Sequence, residues 1–203
     1  MIKRKNSSNH IKIVIAVIVV TLLIGLLVFF QKEPSQEFRY VSKIDDYSYY
    51  LDNKTTRLYK KYFKKLKTEL EDNKIDEENY AKLISKLFTI DFYTLNNKVT
   101  NRDIGGIQFI HSELVHSFIE KSSNTVYKYL KNNLNNKRRQ QLPEVNDVEV
   151  LDIKKVIYNK KYKDNSGYEV KIKIGYVTDL DYPKEIKLTI IHEENKLVIV
   201  EIE

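Results

Sequence analysis

The 203 residues contain no cysteine. That excludes disulfides, thiolate nucleophiles and thiolate metal sites, as well as a lipid-modified cysteine behind a signal sequence. No Gly-x-Ser-x-Gly stretch and no glycine-rich phosphate loop is present, so two common signatures of catalysis are missing. No internal repeat is visible. Charge is absent from residues 13–30, IVIAVIVVTLLIGLLVFF, where only Thr21 and Gly25 interrupt the apolar run. Small residues are lacking where that run ends, at Leu27-Val28-Phe29-Phe30-Gln31-Lys32, so a small-x-small cleavage site is not available.

The run is 18 residues long. As a helix it would cover about 27 Å, against roughly 30 Å for the hydrocarbon core of a bilayer. A buried helix of a soluble domain is rarely apolar on every side over such a length. Residues 13–30 are therefore expected to be an uncleaved transmembrane helix. Lys3, Arg4, Lys5 and Lys12 precede it, whereas Lys32 follows alone beside Glu33. Positive residues stay on the cytoplasmic side. The expected layout is a cytoplasmic tail (1–12), a span (13–30), a spacer (31–36) and an extracytoplasmic domain (37–203) in the cell membrane.

The formal charge of +7 is mostly this topology signal. Four of the 35 Lys and Arg lie in the first 12 residues and all 28 Asp and Glu lie after residue 30, leaving +3 on the exposed part. That is a weak field, and no nucleic-acid partner is expected. A domain of this size can bury a self-sufficient core.

Phe38 to Asp52 carries Tyr47, Tyr49 and Leu51 at period two and predicts a strand. Thr55 or Thr56 caps a helix whose apolar face is Leu58, Tyr59, Tyr62, Phe63, Leu66 and Leu70. Lys60, Lys61, Lys64, Lys65 and Lys67 lie mostly off that face. Asp76 caps the next helix, with Glu77 and Glu78 favourably placed in its first turn. Its stripe is Tyr80, Leu83, Ile84, Leu87, Phe88 and Phe92. A bend at Asp103-Ile104-Gly105-Gly106 leads into a third helix, in which Ile107, Ile110, Leu114, Phe118, Val126 and Leu130 keep helical spacing. Ser122 and Ser123 can divide it, and Pro143 ends the helical half.

Beyond Pro143 the period changes to two. Val148, Val150, Ile153, Val156 and Tyr158 form a strand with one change of phase, as a bulge would produce. Tyr168, Val170, Ile172, Ile174 and Tyr176 alternate strictly with polar or small residues. Ile186, Leu188 and Ile190 follow, then Val198, Val200 and Ile202. Turn residues at 164–167, 179–183 and 193–196 separate these runs. The expectation is α+β: about three helices packed on a C-terminal four-stranded antiparallel meander.

Helices before a curled antiparallel sheet, behind one N-terminal span, resemble the nuclear-transport-factor-two-like (NTF2/cystatin-like) layout. They are similar in order to the bitopic assembly factor of type IV secretion systems. That family's Asn-Pro-x-Gly turn is absent; Asn101-Arg102-Asp103-Ile104-Gly105-Gly106 comes nearest and lacks the proline. No functional residue is carried over. The segments Ile90-Asp91-Phe92-Tyr93-Thr94-Leu95, Asp103-Ile104-Gly105-Gly106-Ile107-Gln108-Phe109 and Leu142-Pro143-Glu144-Val145 also resemble those of uncharacterised single-pass membrane-anchored proteins of low-GC Gram-positive bacteria.

Few side chains suggest chemistry. His111 and His116 are five apart, and Glu113 is misplaced for a zinc-protease helix, so no metal site is expected. His192 shows no triad. Gly105-Gly106 suits a bend better than a ligand cradle. The lysines of 60–67 read as a solvated face that could also meet headgroups or wall polyanions. Lys137-Arg138-Arg139 suits a helix end. Tyr47, Tyr49 and Tyr50 are candidates for an exposed interaction surface, and other tyrosines for the core.

Three functional readings stand. The first is a non-enzymatic interaction or scaffold domain of the cell envelope, bound to the bilayer through 13–30 and to other envelope proteins, with homo-oligomers allowed. A conjugation or secretion-apparatus assembly factor is an alternative to it. The second is a small-ligand pocket lined by Tyr93, Phe109, Phe118 and Tyr176. The third is an enzyme using such a pocket, with Asp91 or His111 as base. No cofactor is expected.

Overall fold

The computed structural model describes residues 40–158 and 166–203. The apolar run 13–30 and the turn at 164–165 lie outside the described residues, and among these no helix is long and apolar enough to cross a membrane.

The first element is a hairpin where the sequence suggested one strand. β1 (Tyr40–Ile44) pairs antiparallel with β2 (Tyr49–Asp52) across a short 3₁₀ turn, and Ser48 closes that turn with a φ of 56°. Tyr49 and Leu51 point into the core, as period two requires. Tyr49 is therefore not a surface residue, contrary to the expectation for it.

α1 (Arg57–Leu70) begins at Thr56, whose hydroxyl accepts from the Tyr59 N–H at 3.2 Å. Tyr59, Tyr62, Phe63, Leu66 and Leu70 are its buried stripe. α2 (Glu77–Tyr93) begins at Asp76, whose carboxylate accepts from the N–H groups of Glu78 (3.0 Å) and Asn79 (3.2 Å). Each cap satisfies donors that the first helical turn leaves open. α2 is the central helix: Ile84, Leu87 and Phe88 are wholly buried, and it packs against α1 and the sheet.

The third helix departs from expectation. Ile107–Phe109 and Ser112–Leu114 are separate 3₁₀ turns, and α3 proper is Val115–Asn124. Gly106 enters this segment with φ +76°, and a Cβ there would stand 2.6 Å from the Phe88 ring. Between the two turns Ile110 leaves helical geometry to bridge Ile199, and the His111 N–H donates to the Ile199 carbonyl at 3.1 Å. A tertiary sheet contact thus overrides helical spacing. Val126 and Leu130 fall beyond the helix.

β3 (Val145–Ile157), β4 (Ser166–Tyr176), β5 (Glu185–Glu193) and β6 (Lys196–Ile202) form the antiparallel meander in the order β3-β4-β5-β6. The expected change of phase in β3 is a register shift between Val150 and Asp152. Tyr168, Val170, Ile172 and Ile174 are buried against the helices. In β6 the expected face is reversed. Leu197 and Ile199 enter the main core, whereas Val198 and Val200 join Ile191 in a smaller cluster with Leu114 and Tyr158. A strand apolar on both faces cannot be oriented by alternation alone. The fold is α+β, with helices preceding a four-stranded antiparallel sheet.

Candidate functional site

The two edges of the sheet are treated differently. At β6, two tyrosine hydroxyls take the place of a neighbouring strand. Leu197 donates its N–H to the Tyr80 hydroxyl at 3.1 Å, and the Tyr49 hydroxyl donates to the Leu197 carbonyl at 2.8 Å. The hydroxyls lie 2.7 Å apart. Since the Tyr49 proton is on the carbonyl, the Tyr80 proton must go to Tyr49, and the three bonds close a ring. Two residues on, Ile110 and His111 cover the edge at Ile199. Burial raises the pKa of both hydroxyls above the ordinary tyrosine range, so the ring keeps its protons.

Among the described residues the outer edge of β3 is not closed by hydrogen bonds in this way beyond its start. The Ile174 N–H donates to Lys184, on the β5 side. Its partner Val148, and Val150 opposite Ile172, therefore turn their N–H and C=O groups away from β4. Among the described residues no strand pairs with that edge. At its start the Val145 N–H reaches the Thr94 hydroxyl at 3.2 Å.

A groove of about 1390 Å³ runs beside this edge, between residues 147–153 of β3 and the outer faces of α1 and α2. Helical spacing places Lys61, Lys64 and Lys65 of α1 and Lys86 of α2 on its wall. Three of these approach the Tyr62 ring, with Nζ at 5.7 Å (Lys61), 5.5 Å (Lys65) and 4.9 Å (Lys86) from its centre. The negative face of the ring offsets part of their mutual repulsion. Among the described residues these lysines have no carboxylate within 4.0 Å, whereas Lys82 is paired with Glu78 at 2.5 Å. The strand wall carries Asp147, Glu149 and Asp152 instead. The helix wall also carries Glu69 and Asp72, so the groove is cationic around Lys61, Lys64, Lys65 and Lys86 and anionic along the sheet edge.

The expected pocket residues lie elsewhere, in separate aromatic groups. Phe109 is wholly buried against Tyr49, with ring centres 5.5 Å apart. Tyr93 and Phe118 both touch Phe92, at 4.9 and 5.3 Å. Tyr176 lies 6.4 Å from Tyr182 and its hydroxyl donates to the Pro183 carbonyl. Burial pushes the Tyr93 hydroxyl up to about 12.

The two residues proposed as bases have structural partners. Asp91 pairs with the buried Lys98 at 2.5 Å, and its other oxygen accepts from the Gly106 N–H at 2.7 Å. His111 is buried rather than exposed. Its Nδ1 accepts from the Glu113 N–H at 3.3 Å and lies 3.5 Å from Glu193. His192 lies 3.0 Å from Glu77. No group of three His, Asp or Glu that could hold a metal occurs among the described residues. Sequence reasoning also passed over Tyr127. Wholly buried, it donates to the Phe92 carbonyl at 2.6 Å and accepts from the Gly105 N–H at 3.1 Å.

No protein-family model, no curated protein and no solved structure matches this chain.

Proposed function

We propose that this is an extracytoplasmic interaction domain, tethered to the cell membrane by residues 13–30 with the N-terminus in the cytoplasm. It receives an extended segment of another envelope protein beside β3. The observation that carries this reading is the edge of β3 around Val150, unpaired among the described residues and bordered by a lysine-lined groove. Unpaired edges usually invite non-specific pairing and are blunted by charge or bulges. Here the shift between Val150 and Asp152 limits continuous pairing to a short stretch, and the acidic side chains discourage unsuited strands. Backbone pairing would supply affinity, and alternate side chains specificity. Carboxylates on the partner's inward face would meet Lys61, Lys64, Lys65 and Lys86.

The interior favours this reading over a ligand-holding cone. Leu87, Phe88, Val170, Ile172, Leu188 and Ile190 fill the space between helices and sheet and are wholly buried. Helices followed by a four-stranded meander support the nuclear-transport-factor-two-like comparison in layout only, and layout does not assign an activity.

Site-specific photo-crosslinking in the producing cells tests the proposal. A benzophenone at Leu151, which is 41% exposed in the groove, is expected to give a discrete adduct with another membrane-associated protein. The same group at Val177, 62% exposed and away from the groove, is not. The Leu151 adduct should vanish when Lys61, Lys64 and Lys65 are changed to Glu. No adduct at Leu151, or the same adducts from both sites, would refute the assignment.

A further inference from the structure

A second cationic surface lies in the loop after α3. From Lys121 to Leu142 the chain has no Asp or Glu, yet it carries Lys128, Lys131, Lys137, Arg138 and Arg139. Arg138 serves the loop itself. Its guanidinium donates to the carbonyls of Asn96 (2.7 Å), Lys98 (2.8 Å) and Lys131 (3.2 Å). Gln140 ties the two arms of the loop together, donating to the Tyr129 carbonyl and accepting from the Lys131 N–H, both at 2.9 Å. The result is a concavity of about 770 Å³ lined by Lys131, Leu134, Lys137 and Arg139. Beside the cations stand two of the most exposed large apolar side chains among the described residues, Tyr129 at 76% and Leu134 at 67%. Together on one loop they add a small apolar patch to the cationic surface.

The loop's place in the fold indicates what covers it. Asn133 donates its N–H to the Val99 carbonyl at 2.8 Å, and neighbouring Asn97 donates to the Lys54 carbonyl at 3.2 Å. Lys54 follows β2, whose last residue, Asp52, pairs with Tyr40. The loop therefore shares an end of the domain with the point where the chain arrives from residues 13–30. Nine residues separate Phe30 from Tyr40, a reach of about 35 Å at most.

We propose that loop 128–140 binds the anionic headgroups of the bilayer that holds the chain, with Tyr129 and Leu134 entering the interface. This rests on the tether proposed above. Tyrosine with flanking Lys and Arg is the composition that partitions to headgroup depth, and each cation near an anionic surface strengthens binding about five-fold. A nucleic acid would also suit the cations, but the tether holds lipid close at high effective concentration.

The test uses the full chain with Tyr129→Trp, which makes a single tryptophan because the chain has none. It is reconstituted in nanodiscs of brominated lipid, either rich in phosphatidylglycerol or of phosphatidylcholine alone. The expected result is a blue-shifted emission with strong bromine quenching in anionic discs and several-fold less in neutral ones. Changing Lys131, Lys137 and Arg139 to Gln should remove the difference, and Leu134→Ser alone should weaken quenching in both. Solvent-like, unquenched emission from chains that co-elute with anionic discs overturns the loop assignment and leaves the tether standing. So does shielding of the introduced tryptophan by added RNA without lipid quenching. Failure to co-elute with discs overturns the tether and the loop assignment together.

Discussion

Removing the Tyr49 hydroxyl tests how the β6 edge is closed. In Tyr49→Phe the Leu197 carbonyl loses its partner and the Tyr80 hydroxyl loses its acceptor, while the ring volume stays. Tyr49 and Leu197 are wholly buried, so water does not replace the bond. Leaving a buried polar group unsatisfied costs about 1–3 kcal/mol. Tyr80→Phe orphans the Leu197 N–H and should cost a similar amount. The two hydroxyls share the bond at 2.7 Å, and that bond is lost in either single variant. The double variant should therefore cost less than the two singles together, with a coupling of about 0.5–1.5 kcal/mol. Urea unfolding of the detergent-solubilised chain, followed by far-ultraviolet circular dichroism, gives all four stabilities. Single losses below about 0.5 kcal/mol, or strict additivity, would refute the ring of three bonds.

Ile172→Asp puts a carboxylate into the wholly buried face of β4 and should cost several kcal/mol, whereas exposed Lys173→Asp, which faces Glu149 and Glu185 on the neighbouring strands, should cost only about 1 kcal/mol in the same unfolding assay. Equal damage would mean that both faces of the strand are covered. Alkaline pH should unfold the domain, because burial raises the hydroxyl pKa values of Tyr49, Tyr59, Tyr80, Tyr93 and Tyr127 in the folded state. Stability is then complete below the unfolded value of about 10 and falls above it by about 1.4 kcal/mol per pH unit for each such tyrosine. Tyrosinate absorbance should rise together with loss of ellipticity, and free titration of these tyrosines at pH 10 in the folded chain would contradict their burial. Gly106→Ala should destabilise by about 1–3 kcal/mol in thermal unfolding, given the φ of +76° and the Phe88 ring 2.6 Å from the added Cβ; a neutral change would show that the loop relaxes freely.

Much of the framework follows from local signals. Thr56 and Asp76 cap as their side chains dictate, and the stripes of α1 and α2 are the buried ones. Strict alternation from Tyr168 to Ile174 orients β4, and the change of phase in β3 marks a true bulge. What failed depended on contacts distant in sequence. Tyr49 looks like a surface residue until its hydroxyl accepts from Tyr80 and donates to the Leu197 carbonyl, 31 and 148 positions away. Ile107 to Leu130 has helical spacing, but Ile110 is drawn out of it by Ile199. Val198 and Val200 alternate properly on a strand whose neighbours are apolar too, so nothing local says which set faces the helices.

The candidate site was half legible. Lys61, Lys64 and Lys65 share a face by helical spacing alone, and in isolation that face reads as solvated. Its meaning changes because Lys86 comes from another helix and because β3 is an edge, and strand order is not written in hydrophobic periodicity. Asp91, a candidate base in the third reading alone, is held by Lys98 and the Gly106 N–H, an arrangement set by the fold of the loop that follows it.

The open edge of β3 is tested most directly by amide hydrogen exchange, resolved by residue, on the intact purified chain. Val150 should exchange quickly, since its N–H points away from β4 beside the groove, while neighbouring Glu149 stays protected by pairing with Lys173. On the opposite edge Leu197 should be protected, because its N–H is held by Tyr80. Protection of Val150 equal to that of Glu149 would contradict an edge left free for a partner strand.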